Sequence, residues 1–167
     1  MGSYLKTVIQ NLLKGPSTDP YPFGKTFEPK GLRGKIRFNS QACVACRTCE
    51  HVCAGNAIRI KEAEDKSGLH FVVWHNTCAF CGLCEHYCPT KAIRMTADYH
   101  TAHSQAEKYN YVEQGFIKYV PCSCCGKPMI PVAAELLALA YKETANVEFL
   151  AQLCERCRPG NRLRKEE

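Results

Sequence analysis

Eight cysteines between residues 43 and 88 carry one pattern used twice. Cys43, Cys46, Cys49 and Cys53 form the first C-x2-C-x2-C-x3-C run, and Cys78, Cys81, Cys84 and Cys88 form the second, 35 residues later. This is the spacing of a pair of 4Fe–4S clusters, in which the fourth cysteine of each run serves the other cluster. Three thiolates packed into seven residues wrap one face of a cuboidal cluster. The chain cannot turn fast enough to cap the opposite corner, so the fourth ligand comes from elsewhere. The expected ligands are Cys43, Cys46, Cys49 and Cys88 for one cluster, and Cys78, Cys81, Cys84 and Cys53 for the other.

The rival readings of these runs fail on chemistry. A zinc site takes four tetrahedral ligands, usually as two separated pairs, and would leave the third cysteine of each run unused. A disulfide framework belongs to small secreted chains, whereas this one has an odd 13 cysteines and no recognisable secretory signal. The runs also match beyond their cysteines. Residues 43–60 and 78–95 share nine identities in eighteen positions, including Glu-His and a following Ala-Ile-Arg. An internal repeat of this kind predicts pseudo-twofold symmetry. His51 and His86 sit at equivalent places in it, and with four cysteines already at each cluster they read as surface or outer-sphere residues.

A second metal signature lies in the tail. Cys122-Ser-Cys124-Cys125-Gly126 contains C-x2-C-G, and Cys154-Glu-Arg-Cys157 follows with 28 residues between Cys125 and Cys154. Two such pairs flanking a helix-bearing loop fit one tetrahedral S4 site built from Cys122, Cys125, Cys154 and Cys157. Zinc suits it, as would a single rubredoxin-like iron. An alternative ligand set substitutes Cys124.

The formal net charge is +6, which on its face points to nucleic acid. Two ligated clusters and one metal tetrathiolate would each bring about −2, because ligating thiols are deprotonated. The basic excess is thereby nearly cancelled, and nucleic acid is not expected as a partner. No apolar run approaches the ~20 residues of a membrane span, so the reading is a soluble or peripheral protein. No nucleophile–base pair or phosphate loop is present to support catalysis.

The elements that must position these sites follow in order. Tyr4, Leu5, Val8, Ile9, Leu12 and Leu13 mark an amphipathic helix over 3–14, capped by Ser3 and ended by Gly15-Pro16. Its apolar stripe can lie on a membrane or partner, or fold back on its own core. Residues 15–34 read as an extended, Pro-rich strap. Strands are expected at 35–38, 57–60, 69–74 and 92–95 around short helices in the runs. A connecting helix or irregular strap is expected over 97–119, and a helix over 131–141 with Pro131 in its first turn. The fold class is α+β: a bacterial two-4Fe–4S ferredoxin-like core over 35–100, an N-terminal helix and docking strap over 1–34, and a zinc-ribbon-like extension over 101–167.

These residues resemble a known family. The N-terminal helix, the Tyr21-Pro22 strap, Arg33-Gly34 and both cysteine runs are similar to the two-cluster ferredoxin-like subunit of complex I and its relatives in membrane-bound, energy-converting NiFe hydrogenases. The cysteine tail after residue 120 looks like that of the formate hydrogenlyase type. The resemblance implies electron relay from an electron-input iron–sulfur subunit (formate dehydrogenase, carbon monoxide dehydrogenase or ferredoxin) to a hydrogenase small subunit. It also implies peripheral attachment to membrane-arm subunits on the cytoplasmic side of the cell membrane. The alternative is a complex I-type subunit passing electrons toward quinone.

Overall fold

A computed structural model describes residues 2–141 and 146–161. The chain divides into two units, residues 1–32 and 33–167. The first opens with helix α1 (Gly2–Lys14). Its strap is turned by Phe23 and Gly24 amides donating to the Pro20 carbonyl, and by the Phe27 amide donating to Asp19 Oδ2 at 3.0 Å.

The second unit is built on the repeat. Strand β1 (Ile36–Phe38) leads into the first run, whose short helix α2 (Thr48–His51) is followed by β2 (Ile58–Glu62). Strand β3 (Gly68–Trp74), helix α3 (Leu83–His86) and β4 (Ile93–Met95) repeat the arrangement around the second run. β1 pairs antiparallel with β4, and β2 with β3. The repeat exchanges these two pairs, since each joins the strand before one run to the strand after the other. This is the ferredoxin-like core, and its pseudo-twofold relation follows from the duplication.

Alternation puts the core side chains inward. Ile58 and Ile60 from β2, Leu69, Phe71 and Val73 from β3, and Ile36 and Ile93 from the other pair are all buried, together with Cys43, Cys49 and Cys84. Phe38 stacks on Phe71 with ring centroids 3.8 Å apart. The cluster thiols and the aliphatic side chains thus share one core.

Residues 97–119 correct the sequence expectation. They hold a single 3-10 turn at Gln105–Glu107 and then strand β5 (Val112–Lys118), which pairs antiparallel with β3 from Gly68↔Lys118 to Trp74↔Val112. β5 also closes the outer edge of β1. The Ile36 and Phe38 amides point away from β4, and side chains take the place of a strand there. His75 Nε2 accepts from Ile36 at 3.1 Å, and Glu113 Oε1 accepts from Phe38 at 2.9 Å. Glu113 also meets Arg37 at 3.3 Å, but Arg37 is largely exposed, so that ion pair adds little. The amide bond matters more. Glu113→Ala strands a half-buried donor and is expected to cost about 1–3 kcal/mol, read as a lower chemical-denaturation midpoint, while Arg37→Ala leaves the midpoint nearly unchanged.

His75 is 6% exposed, and burial holds its pKa below the ordinary histidine value, outweighing the opposite pull of Glu113. The unfolded chain therefore binds a proton that the folded chain refuses. This contribution to stability is present above the unfolded pKa of about 6.5 and is lost as pH falls toward the folded value. Thermal unfolding should show a fall in Tm below that pH, with a shallower fall in His75→Gln.

The C-terminal part has its own small core. Strands β6 (Val120–Pro121) and β7 (Pro128–Met129) form a hairpin, followed by helices α4 (Ala134–Tyr141), α5 (Val147–Ala151) and α6 (Arg158–Asn161). Among the described residues, Cys122, Met129, Leu137, Leu150 and Leu153 form its buried hydrophobic cluster. The helix expected from Pro131 begins at Ala134 instead, so the proline precedes it. Asn146 caps α5, accepting from the Phe149 amide at 3.0 Å.

Candidate metal centres

The duplicated runs share their backbone as well as their spacing. Ala45 and Phe80, Arg47 and Gly82, and Asn56 and Lys91 all have positive φ, from 50° to 78°, and each pair is offset by 35 residues. A left-handed conformation costs a non-glycine residue about 1–2 kcal/mol, so retaining it five times without glycine points to a local demand. The demand is visible at the sulfurs. The Ala45 amide donates to Cys43 Sγ and the Phe80 amide to Cys78 Sγ, both at 3.4 Å. Ala57 donates to Cys53 Sγ at 3.2 Å. Amides aimed at ligand sulfurs stabilise negative charge there, one of the levers on a cluster's potential.

The fourth cysteines cross between runs. Cys53 lines a cavity of about 120 Å³ together with Cys78, Cys81 and Cys84, walled by Ile36, Ile58 and other apolar groups. Cys88 in turn lies close enough to Cys43 to act on it electrostatically, alongside Cys46. The donor set and apolar wall fit a 4Fe–4S cluster. Burial, followed by the Cys43 and Cys46 thiols, pushes Cys49 up to about 12, and burial pushes Cys84 up to about 11. Burial acts the same way on Cys88, but the Ile93 amide, the Thr90 hydroxyl and the Thr90 and Ala92 amides outweigh it and lower that thiol. Apart from Cys88, these buried thiols resist ionising alone, so cluster assembly must supply the counter-charge. Cys46 and Cys81 are exposed, which brings one corner of each ligand set to the surface. His51 and His86 are exposed too.

In the tail, the ligand atoms of Cys122, Cys125, Cys154 and Cys157 lie within 4.8 Å of one another. Gly126, at φ 70°, closes the first knuckle, and its amide donates to the Cys122 carbonyl at 2.9 Å. The Cys154 amide donates to Cys122 Sγ at 3.2 Å. That amide and the Cys125 amide pull the Cys122 thiol down to about 6. A pre-ionised thiolate among three further sulfurs suits a tetrahedral metal ion. Cys124, which the sequence left as an alternative ligand, is exposed and stands outside the four.

Sequence reasoning missed His75 and Glu113. A histidine before the second run and a glutamate in a polar stretch carry no spacing signal; only the pairing of β5 shows what they hold.

Known proteins place this geometry. The family described as 4Fe-4S dicluster domain matches residues 42–92, spanning both runs. The NAD(P)H-quinone oxidoreductase subunit I of Trichodesmium erythraeum is 33% identical over 144 residues, covering 83% of this chain and 68% of that protein. Its counterpart in Microcystis aeruginosa is 33% identical over 141 residues, covering 81% of this chain and 74% of that protein. The chain belongs to the NAD(P)H-quinone oxidoreductase subunit I family. As a subunit I relative it is an iron–sulfur electron-transfer component rather than an enzyme in its own right. A solved structure of the membrane-bound sulfane sulfur reductase, an archaeal respiratory membrane complex, contains a chain similar to this subunit I relative at 20% identity. Its TM-score is 0.46, and the match covers 82% of this chain and 67% of that one.

Proposed function

We propose that the chain relays electrons through two 4Fe–4S clusters, within a membrane-associated respiratory assembly, from an electron-input subunit toward a quinone acceptor. The single observation that carries this is the kinship to quinone oxidoreductase subunits over most of the chain, joined to the crossed cysteine sets. When bound, each cluster supplies a one-electron centre. The chain's own residues hold the sulfurs in place, donate amides to them and exclude water with Ile36, Ile58, Ile60 and Ile93. Cys43, Cys46, Cys49 and Cys88 hold one cluster, and Cys78, Cys81, Cys84 and Cys53 hold the other. Because each run serves both, the two centres are held close.

The three segments take separate parts in this reading. Residues 1–34 dock: α1 carries Leu5, Val8, Ile9, Leu12 and Leu13, all exposed, and among the described residues no helix is long and apolar enough to cross a membrane. Residues 35–100 hold the clusters. Residues 101–167 close the core with β5 and hold one metal ion, zinc or iron, on Cys122, Cys125, Cys154 and Cys157 as a structural brace. The complex lies peripherally on the cytoplasmic side.

A second reading replaces the quinone complex with a NiFe hydrogenase of the formate hydrogenlyase type, and the tetracysteine tail is what favours it. The relatives favour quinone. Anaerobic purification of the tagged chain from mildly solubilised membranes separates the two. A nickel-free complex that reduces quinone is the expected result, and a nickel-containing complex that evolves hydrogen would replace the first reading with the second.

A further inference from the structure

The repeat places Arg47 and Gly82 at equivalent positions, both left-handed, with φ 60° and 78°. In the first run the arginine grows out of the ligand loop itself. Its Nη1 lies 3.3 Å from Glu50 Oε2, and the same carboxylate reaches Arg59 at 4.0 Å. In the second run the position is glycine, and an arginine arrives from outside the repeat. Arg33 donates from Nη1 to the Cys81 carbonyl at 2.6 Å. A β-carbon at Gly82 would stand 3.5 Å from Arg33 Cδ and 3.8 Å from its Nη1. The guanidinium thus occupies, over Gly82, the place from which Arg47 departs in the first run. Among the described residues, no ion pair engages Arg33.

We infer that Arg33 is a potential-setting residue for the second-run cluster, bringing from outside the repeat a positive charge to the Cys81 ligand. The inference rests on the cluster assignment proposed above. Reduction adds one electron, and so one negative charge, to a centre ligated by Cys81; no bond or proton need move. A cation fixed beside that ligand lowers the energy of the reduced form. Arginine keeps its charge at every working pH, and its planar fork suits a fixed carbonyl. Because Arg33 is exposed, solvent and salt moderate the effect.

The test is an EPR-monitored redox titration of the anaerobic full-length protein, with the second-run signal identified as the one absent from Cys53→Ala. In Arg33→Met, the reduced-to-oxidised ratio of that cluster at fixed ambient potential is expected to fall about three- to tenfold, tenfold being 59 mV for one electron. The first-run cluster should move much less. Arg33→Gln, which keeps an N–H donor for the Cys81 carbonyl without the charge, should show the same fall and carries the test if the methionine variant takes up too little iron. Arg33→Lys should keep most of the ratio. Equal shifts in both clusters, no shift, or a lysine variant that behaves like methionine would overturn the role of Arg33. An unmodified protein with fewer than two clusters would instead overturn the assignment beneath it.

Discussion

Cys53→Ala is expected to abolish the second-run cluster and spare the first, although Cys53 lies in the first run. Iron should fall from about eight to about four atoms per chain. The reason is geometric: Cys53 shares its cavity with Cys78, Cys81 and Cys84, whereas the thiol acting across the runs on Cys43 is Cys88. Double variants sharpen the result, because residues serving one unit are not additive. Adding Cys81→Ala to Cys53→Ala removes no further iron. Adding Cys46→Ala removes nearly all of it. If each run held its own cluster, the two double variants would trade outcomes.

The second large effect lies in the tail. Cys125→Ala or Cys157→Ala is expected to release the bound metal and unfold residues 120–161, with the visible absorbance of the clusters retained. Among the described residues this segment buries only Met129, Leu137, Leu150, Leu153 and Cys122 as its apolar core. That is a small core to set against the conformational entropy of ordering the chain, and metal binding to the four thiolates is what makes up the difference. Limited proteolysis with metal analysis reads the outcome. The segment should be cleaved rapidly in these variants and in chelator-treated protein, while Cys124→Ala stays resistant. A tail equally resistant without metal would show that its side chains suffice.

How far the sequence revealed this architecture depended on whether each residue's role left a periodic mark. Ligand cysteines did, because a cluster demands fixed spacing, and the duplication announced a pseudo-twofold relation, though not which strands pair. The strand β5 did not. Its inward positions are Glu113, Gly115 and Ile117, and only the last is apolar. Glu113 turns inward to take the Phe38 amide. Gly115 is there because any β-carbon would strike the Phe38 ring. Both choices are forced by a strand more than 70 residues away, and each erases the alternation that would mark a strand. The same holds for His75, whose ring accepts from the Ile36 amide 39 residues earlier. In the tail, the four metal-site cysteines were legible as pairs. The choice between Cys122 and Cys124 was not, since it turns on which sulfur receives the Cys154 amide.

The proposed relay requires two neighbouring 4Fe–4S clusters on this chain. EPR of the anaerobically purified, dithionite-reduced protein, with iron and sulfide counted on the same sample, tests it most directly. About eight iron and eight acid-labile sulfide per chain are expected, with two cluster signals broadened by mutual spin coupling. One uncoupled signal with about four iron, or a protein rich in zinc and free of sulfide, would contradict it.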